Sequence, residues 1–288
     1  MEPPLQSRFR CNTRQRLSHT GRLWNAAAKP AGTGLALRHL LVTAVMASLA
    51  VSWAPAAAAL ATTVSIGERI FEAVPPPGGV VTGVYHPEVQ RQFATALPQG
   101  ARLVEVYLPK EDFNILHAGG VPALDRVYQL QVLTATENKL LSYEGFAEVA
   151  DALAKGFAKT PDAVRFVGER AREPWALFYA LRLADGSPKG ETEVGAGLVV
   201  VNYQLMQLMI YVDATRPHAR DEADSGVRAW GEALRAANPD QQFLAERAGK
   251  LDLGGGASVD KAAFGIGRIA GLGAFVFILY RIFRPRAR

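Results

Sequence analysis

Twenty-two residues close to the C-terminus, Ala262 to Phe283, form a nearly uninterrupted apolar run, AAFGIGRIAGLGAFVFILYRIF, followed by Arg284-Pro285-Arg286-Ala287-Arg288. As a helix rising ~1.5 Å per residue the run spans about 33 Å, against about 30 Å for the hydrocarbon core of a bilayer. It predicts a transmembrane helix. Arg268 stands near its outer end, where a long side chain reaches the interface. Tyr280 suits the opposite interface, and the terminal arginines put the C-terminus in the cytoplasm. A buried core helix is the alternative, but Gly254-Gly255-Gly256-Ala257-Ser258 reads as a flexible linker that detaches the run from whatever precedes it. Ala263, Gly267 and Gly271 recur at i, i+4 and i+8, a small-residue stripe through which two copies would pack as a homodimer. Glycine and alanine are also simply common in membrane helices.

The other end carries a second apolar segment. Leu40 to Trp53 follows a basic leader and precedes Pro55 and the small residues Ala56 to Ala61. A basic region, an apolar region and A-x-A choices at Ala57/Ala59 or Ala59/Ala61 are the pattern of a secretory signal. Two readings stay open: cleavage, or retention of Leu40 to Val64 as an anchor. The leader is long for a signal, which is consistent with translation starting nearer Leu35. No arginine pair precedes the run and no cysteine stands near it, so twin-arginine export and lipoprotein attachment are unsupported. The expected organisation is therefore 1–61 leader and signal, 62–238 exported domain, 239–260 tether, and 261–288 transmembrane helix with a basic tail.

The chain's net charge of +5 and pI near 9.4 suggest a nucleic-acid binder until the charge is located. Residues 1–61 carry seven bases and one acid, and residues 261–288 carry six bases and no acid. Removing these two +6 ends leaves −7 for residues 62–260. An acidic body repels phosphate backbones, which argues against nucleic acid. The single cysteine, Cys11, lies in the leader, so the exported domain has neither disulfides nor a thiolate for metal or catalysis.

Periodicity predicts an α+β domain with a mostly antiparallel sheet and flanking helices. Thr62–Ile66 and Arg69–Val74 flank Gly67-Glu68 as a hairpin, and Pro75 to Gly79 imposes a stop and a turn. Pro87 opens a short helix with Val89, Phe93 and Leu97 on one face, ended by Pro98 and Gly100. Arg102–Leu108 and Arg126–Thr134 alternate as strands, with Glu111–His117 forming one or two helical turns between them. Ser142 caps a helix striped by Phe146, Val149, Ala150, Leu153 and Phe157. Val164–Glu169 and Trp175–Leu183 are strands, the second with Trp175, Leu177, Tyr179, Leu181 and Leu183 on one face. After a polar loop, Asp185 to Glu193, Leu198–Val212 is one bulged strand or two. Ala219–Ala237 is the last long helix, with Val227, Trp230 and Leu234 aligned, stopped by Asn238-Pro239. Gln241 to Lys250 is a short helix or tether.

The opening hairpin (Val64 to Phe71), the proline-rich turn (Pro75 to Gly78) and the closing helix around Trp230 resemble the Mog1/PsbP-like group of small α+β domains. The resemblance spans about 170 residues, carries no diagnostic motif, and implies an accessory or binding role more often than an enzymatic one.

Candidate chemistry is sparse. His86, His117 and His218 are far apart in sequence. Asp213, His218, Asp221 and Glu222 gather where a strand meets a helix, but they read as a solvated helix start rather than a metal site. Glu111-Asp112 reads as solvated or helix-opening rather than as an acid/base pair. Ser142 has no nucleophile-elbow setting. Gly254 to Gly256 lacks the lysine and hydroxyl of a phosphate loop, and Gly195-Ala196-Gly197 lacks dinucleotide spacing and is expected to let the chain turn. The aromatics Tyr85, Phe93, Tyr107, Phe113, Trp175, Phe178, Tyr179, Tyr203, Tyr211 and Trp230 would line a groove or, more simply, fill the core. No catalytic, cofactor or metal residues are assigned. The sequence therefore predicts a non-enzymatic accessory protein of the bacterial inner membrane, its domain facing the periplasm and engaging another envelope protein. A lipid- or small-ligand-binding domain is the second expectation, and an enzyme built on the scattered histidines the third.

Overall fold

A computed structural model of the chain describes residues 61–97, 100–156, 164–184 and 191–249. The signal segment, the linker Gly254–Gly256, the apolar run Ala262–Phe283 and its Ala263, Gly267 and Gly271 stripe lie outside the described residues, as do Pro98, Phe157 and most of the polar loop before Glu191. Among the described residues no helix is long and apolar enough to cross a membrane.

β1 (Thr62–Ile66) and β2 (Arg69–Ala73) form the expected hairpin, with Thr62 opposite Ala73 and Ile66 opposite Arg69. Gly67 at its tip has φ +59, and a Cβ there would lie 2.5 Å from the Glu137 carbonyl oxygen, so glycine alone suits the position. The proline-rich segment turns as expected, the Gly79 amide donating to Pro76 O at 2.9 Å. The strand also stops there, β2 ending at Ala73. Gly79 opens a short edge strand, β3 (Gly79–Val81), too brief to show alternation in the sequence.

A larger sheet contains β3, β4 (Ala101–Pro109), β5 (Arg126–Leu133), β6 (Val164–Glu173), β7 (Ala176–Ala184), β8 (Glu191–Val201) and β9 (Gln204–Asp213). Its order is β3-β4-β5-β9-β8-β7-β6, and every neighbouring pair is antiparallel. The helices are α1 (Pro87–Thr95), α2 (Lys110–His117), α3 (Tyr143–Gly156), α4 (Ala219–Ala237) and the single turn α5 (Gln242–Ala245). The α+β class with an antiparallel sheet and flanking helices is thus what the chain adopts.

Strand alternation sorts the interior into two layers of core. On one face Val127, Leu177, Leu181 and Leu198 pack with Val89 and Phe93 of α1 and Phe146, Val149 and Leu153 of α3. On the other, Phe178, Val199, Leu208 and Ile210 pack with Val227, Trp230 and Leu234 of α4 and with Ile66 and Phe71 of the hairpin. Two side-chain bonds tie α4 to the hairpin. The Trp230 indole donates to Val74 O at 2.7 Å. The Asn238 amide pairs with the Glu72 backbone in both directions, at 2.8 and 2.9 Å.

Two expectations are corrected in this sheet. Gly195 and Gly197 do not let the chain turn; both lie inside β8, under α4. A Cβ on Gly195 would sit 2.5 Å from the Ala223 carbonyl carbon, so the missing side chain is what lets the helix approach. Trp175 does not share a face with Leu177, Tyr179, Leu181 and Leu183. It belongs to the turn before β7 and packs in the α4 core, its ring 6.0 Å from that of Phe178. Alternation holds only where the backbone is extended. The β-forming stretch Leu198–Val212 resolves into two strands joined at Asn202-Tyr203, whose φ values of 46° and 64° match a two-residue primed turn.

Candidate functional site

The connection from β3 to α1 is held onto β4 by a buried carboxylate. Glu105 Oε1 accepts from the Gly83 amide and from its neighbour Val106, both at 2.9 Å. Burial raises the Glu105 pKa, and the two amide bonds oppose that rise. A Cβ on Gly83 would overlap Gln90 Oε1 and come 2.6 Å from Glu105 Oε1, so any larger residue there has to displace the ends of both side chains. Thr82 O then accepts the amides of Tyr85 and His86 at 3.1 and 2.7 Å, which sets both rings at the sheet edge just before Pro87 starts α1.

α2 follows β4 directly and brings Phe113 and His117 against those rings. His86 and His117, far apart in sequence, lie with ring centroids 5.7 Å apart. Phe113 stands edge-on to Tyr85 at 5.6 Å and to His86 at 5.7 Å, and stacks on His117 at 5.8 Å. His86 Nδ1 is 3.2 Å from Glu88 Oε1. The sequence held no signal for this meeting, because it depends on where β4 delivers α2.

The same region gathers exposed apolar surface. Val84 (63% exposed), Tyr85 (56%), Ile115 (42%) and Val121 (61%) account for four of the six large apolar side chains left exposed among the described residues. The loop carrying Val121 folds back along α2, with the Gly120 amide donating to Ile115 O at 2.9 Å. Asp112 secures this loop by accepting the amides of Ala123 and Leu124. Its expected solvated role is corrected: Asp112 is buried, and that burial raises its pKa, whereas Glu111 is exposed. The rings of Tyr85, His86, Phe113 and His117 thus group beside β3, the three-residue terminal strand of the sheet.

The other candidates serve structure. Ser142 caps α3, its Oγ accepting the Gly145 amide at 3.1 Å. Glu222 stands in the first turn of α4 as expected, half-buried, and pairs with Arg126 and Arg216, joining α4 to β5. Asp213 accepts the amide and hydroxyl of Thr215, and His218 lies exposed, 3.9 Å from Asp221. Among the described residues no group of three or more His, Cys, Asp or Glu side chains is placed to hold a metal ion. Phe93, Tyr107, Phe178, Tyr179 and Trp230 are core residues.

A second polar-aromatic group, unanticipated from sequence, lies where α4 ends. Arg235 rests over Trp175 at 4.9 Å and over Tyr143 at 5.8 Å, and the Tyr143 hydroxyl donates to Asp240. Burial and the Asp240 carboxylate push the Tyr143 pKa up to about 12. Beside it runs an open groove of about 470 Å³ floored by Phe146 and Ala150.

An antiparallel sheet covered by helices on both faces, with the rings of Tyr85, His86, Phe113 and His117 grouped beside one edge, defines an α+β domain. No protein-family model matches the chain, and no curated protein matches it.

Proposed function

We propose that the chain is a membrane-anchored accessory protein of the bacterial inner membrane, whose α+β domain stands on the periplasmic side and engages another envelope protein. The anchor in this reading is Ala262–Phe283, and the engaging surface is the one carrying Val84 and Tyr85, with Tyr85 against Phe113, continued by Ile115 and Val121 on α2 and the loop that follows it. That grouping is the observation that supports it. Exposed apolar side chains scattered singly need no explanation, whereas a contiguous set points to a partner. Aromatic groups with a polar rim make the centre of such interfaces, and here exposed His117 and Glu111 supply the rim. The imidazoles meet edge-on, with Phe113 stacked on His117.

Site-specific photo-crosslinking in living cells tests the proposal. A crosslinker at Tyr85 or Val121 should yield one discrete adduct, lost with Val84→Asp, while a crosslinker at exposed Thr63 on the hairpin should not. Equal labelling at all three positions would refute the assigned surface. The groove over Phe146 and Ala150 supports a second reading, small apolar ligands at this domain. Displacement of a fluorescent fatty acid by Ala147→Trp would favour it, and no binding by the unaltered chain would end it.

A further inference from the structure

Of the six exposed large apolar side chains among the described residues, the two outside the edge cluster are Ile70 (72% exposed) and Phe243 (60%). Both are placed by the same two-residue turn. Arg69, next to Ile70, donates to Asn202 O at 3.0 Å, and the Gln241 amide, at the start of α5, donates to Asn202 Oδ1 at 3.0 Å. Leu244 is buried, so α5 is fixed and Phe243 is held outward. Tyr203 O of that turn accepts the Leu141 amide at 2.9 Å, and the next residue, Ser142, donates to Gly249 O at 2.8 Å. Gly249 in turn donates to Leu140 O. The last described residue of the chain is therefore pinned beside the Asn202-Tyr203 turn.

From Gly249 only residues 250–261 precede the apolar run. Twelve residues span at most about 40 Å even when fully extended. An anchored domain is thus held with this end close to the bilayer. Val121, in the loop before β5, lies toward the other end of the sheet, where β5 begins and β9 finishes, while Val84 and Tyr85 flank the middle of β4 beside Glu105; the ten residues of β9 run about 33 Å between the two ends. Glu68-Arg69 and Glu246-Arg247 alternate in sign at the near end, so charge neither draws it to anionic lipid nor repels it.

We infer that the turn end of the domain docks on the bilayer surface, with Phe243 and Ile70 entering the interface, which leaves the other end, with Val121, facing away from the membrane. The inference rests on the anchored reading above. Aromatic side chains favour the membrane interface, and a one-turn helix with a buried neighbour is a rigid mount for one.

The test uses the full chain with Cys11→Ser, reconstituted in phosphatidylcholine liposomes containing phosphatidylglycerol. A nitroxide is attached at Phe243→Cys or, separately, at Val121→Cys. Both sites are exposed, so neither substitution disturbs the core. The docked domain gives a label at position 243 that oxygen relaxes and an aqueous nickel chelate does not, and a label at 121 with the opposite preference. Adding Ile70→Asp should raise nickel access at 243, and added salt should leave it unchanged. A chain that floats with the liposomes and resists carbonate, yet shows aqueous behaviour at both labels, overturns the docking alone. A chain that does not float overturns the anchored reading and the docking with it.

Discussion

Replacing Gly195 by alanine probes the contact that most tightly couples α4 to the sheet. The added Cβ would overlap the Ala223 carbonyl oxygen and lie 2.5 Å from its carbon, where ordinary contact begins near 3.4 Å. These are backbone atoms of a helix, so relief requires α4 to withdraw by about 1 Å, loosening the van der Waals contacts of Val227, Trp230 and Leu234. Overpacking of this kind costs about 1–3 kcal/mol. The lost flexibility of glycine in the unfolded chain returns only about 0.4–1 kcal/mol. A net loss of about 1–1.5 kcal/mol follows, or about 2–6 °C in melting temperature for a domain of this size. Gly197→Ala is the control. Its nearest neighbours are Phe178 ring atoms at 3.1 Å, which can yield by a few tenths of an ångström, so its net effect stays within about 1 kcal/mol. Thermal unfolding of the full chain in detergent, followed by near-ultraviolet circular dichroism, compares the two. A Gly195→Ala protein as stable as the unaltered one, or no less stable than Gly197→Ala, would refute the packing argument.

Further expectations follow from single residues. Glu193 is a buried carboxylate between Arg220 and Arg182. Burial works to raise its pKa, but the two guanidiniums prevail and hold it below the usual range. Its folded pKa being depressed, its stabilisation is complete above the ordinary value of about 4.3 and is lost as pH falls through the lowered one; Glu193→Gln should flatten that acid limb in a pH series of melts. Glu105 has the opposite sign. Its raised folded pKa makes the charged form a penalty that grows as pH rises from about 4.3 through the folded value, so Glu105→Gln should gain most on the unaltered protein at neutral pH and lose that advantage below about pH 4. His218 precedes α4 in the left-handed region at φ +59 with no capping bond, so His218→Gly should raise stability by about 1 kcal/mol and leave partner crosslinking unchanged. Ser142→Ala, which removes the cap of α3, should cost about 1 kcal/mol in the same melts.

What could be read from the sequence was what local pattern controls. The bounds of α4 follow from its apolar spacing, the acids Asp221 and Glu222 in its first turn and the Asn238-Pro239 stop, all visible within the segment. The opening hairpin follows from Gly67, and the cap of α3 from Ser142. The failures were residues whose meaning depends on distant partners. The start of β8 reads as loop because Glu193, Gly195 and Gly197 are poor strand formers alone. They become strand because Arg182 and Arg220 meet Glu193 and α4 settles on the glycines. Asp112 looks solvated until Ala123 and Leu124 return to it, and β3 is too short for periodicity to appear. The edge cluster was hidden for the same reason. Tyr85, His86, Phe113 and His117 have no common spacing, and only the route from β3 through β4 to α2 gathers them.

Topology is the most direct test of the central proposal. The full chain with a C-terminal tag is expressed in bacteria, the cells are fractionated, and spheroplasts are treated with protease. The account predicts a membrane-bound product that carbonate does not extract, whose domain is digested from outside while the tagged C-terminus stays protected. A product recovered intact in the cytoplasmic fraction, inaccessible to external protease, would contradict it.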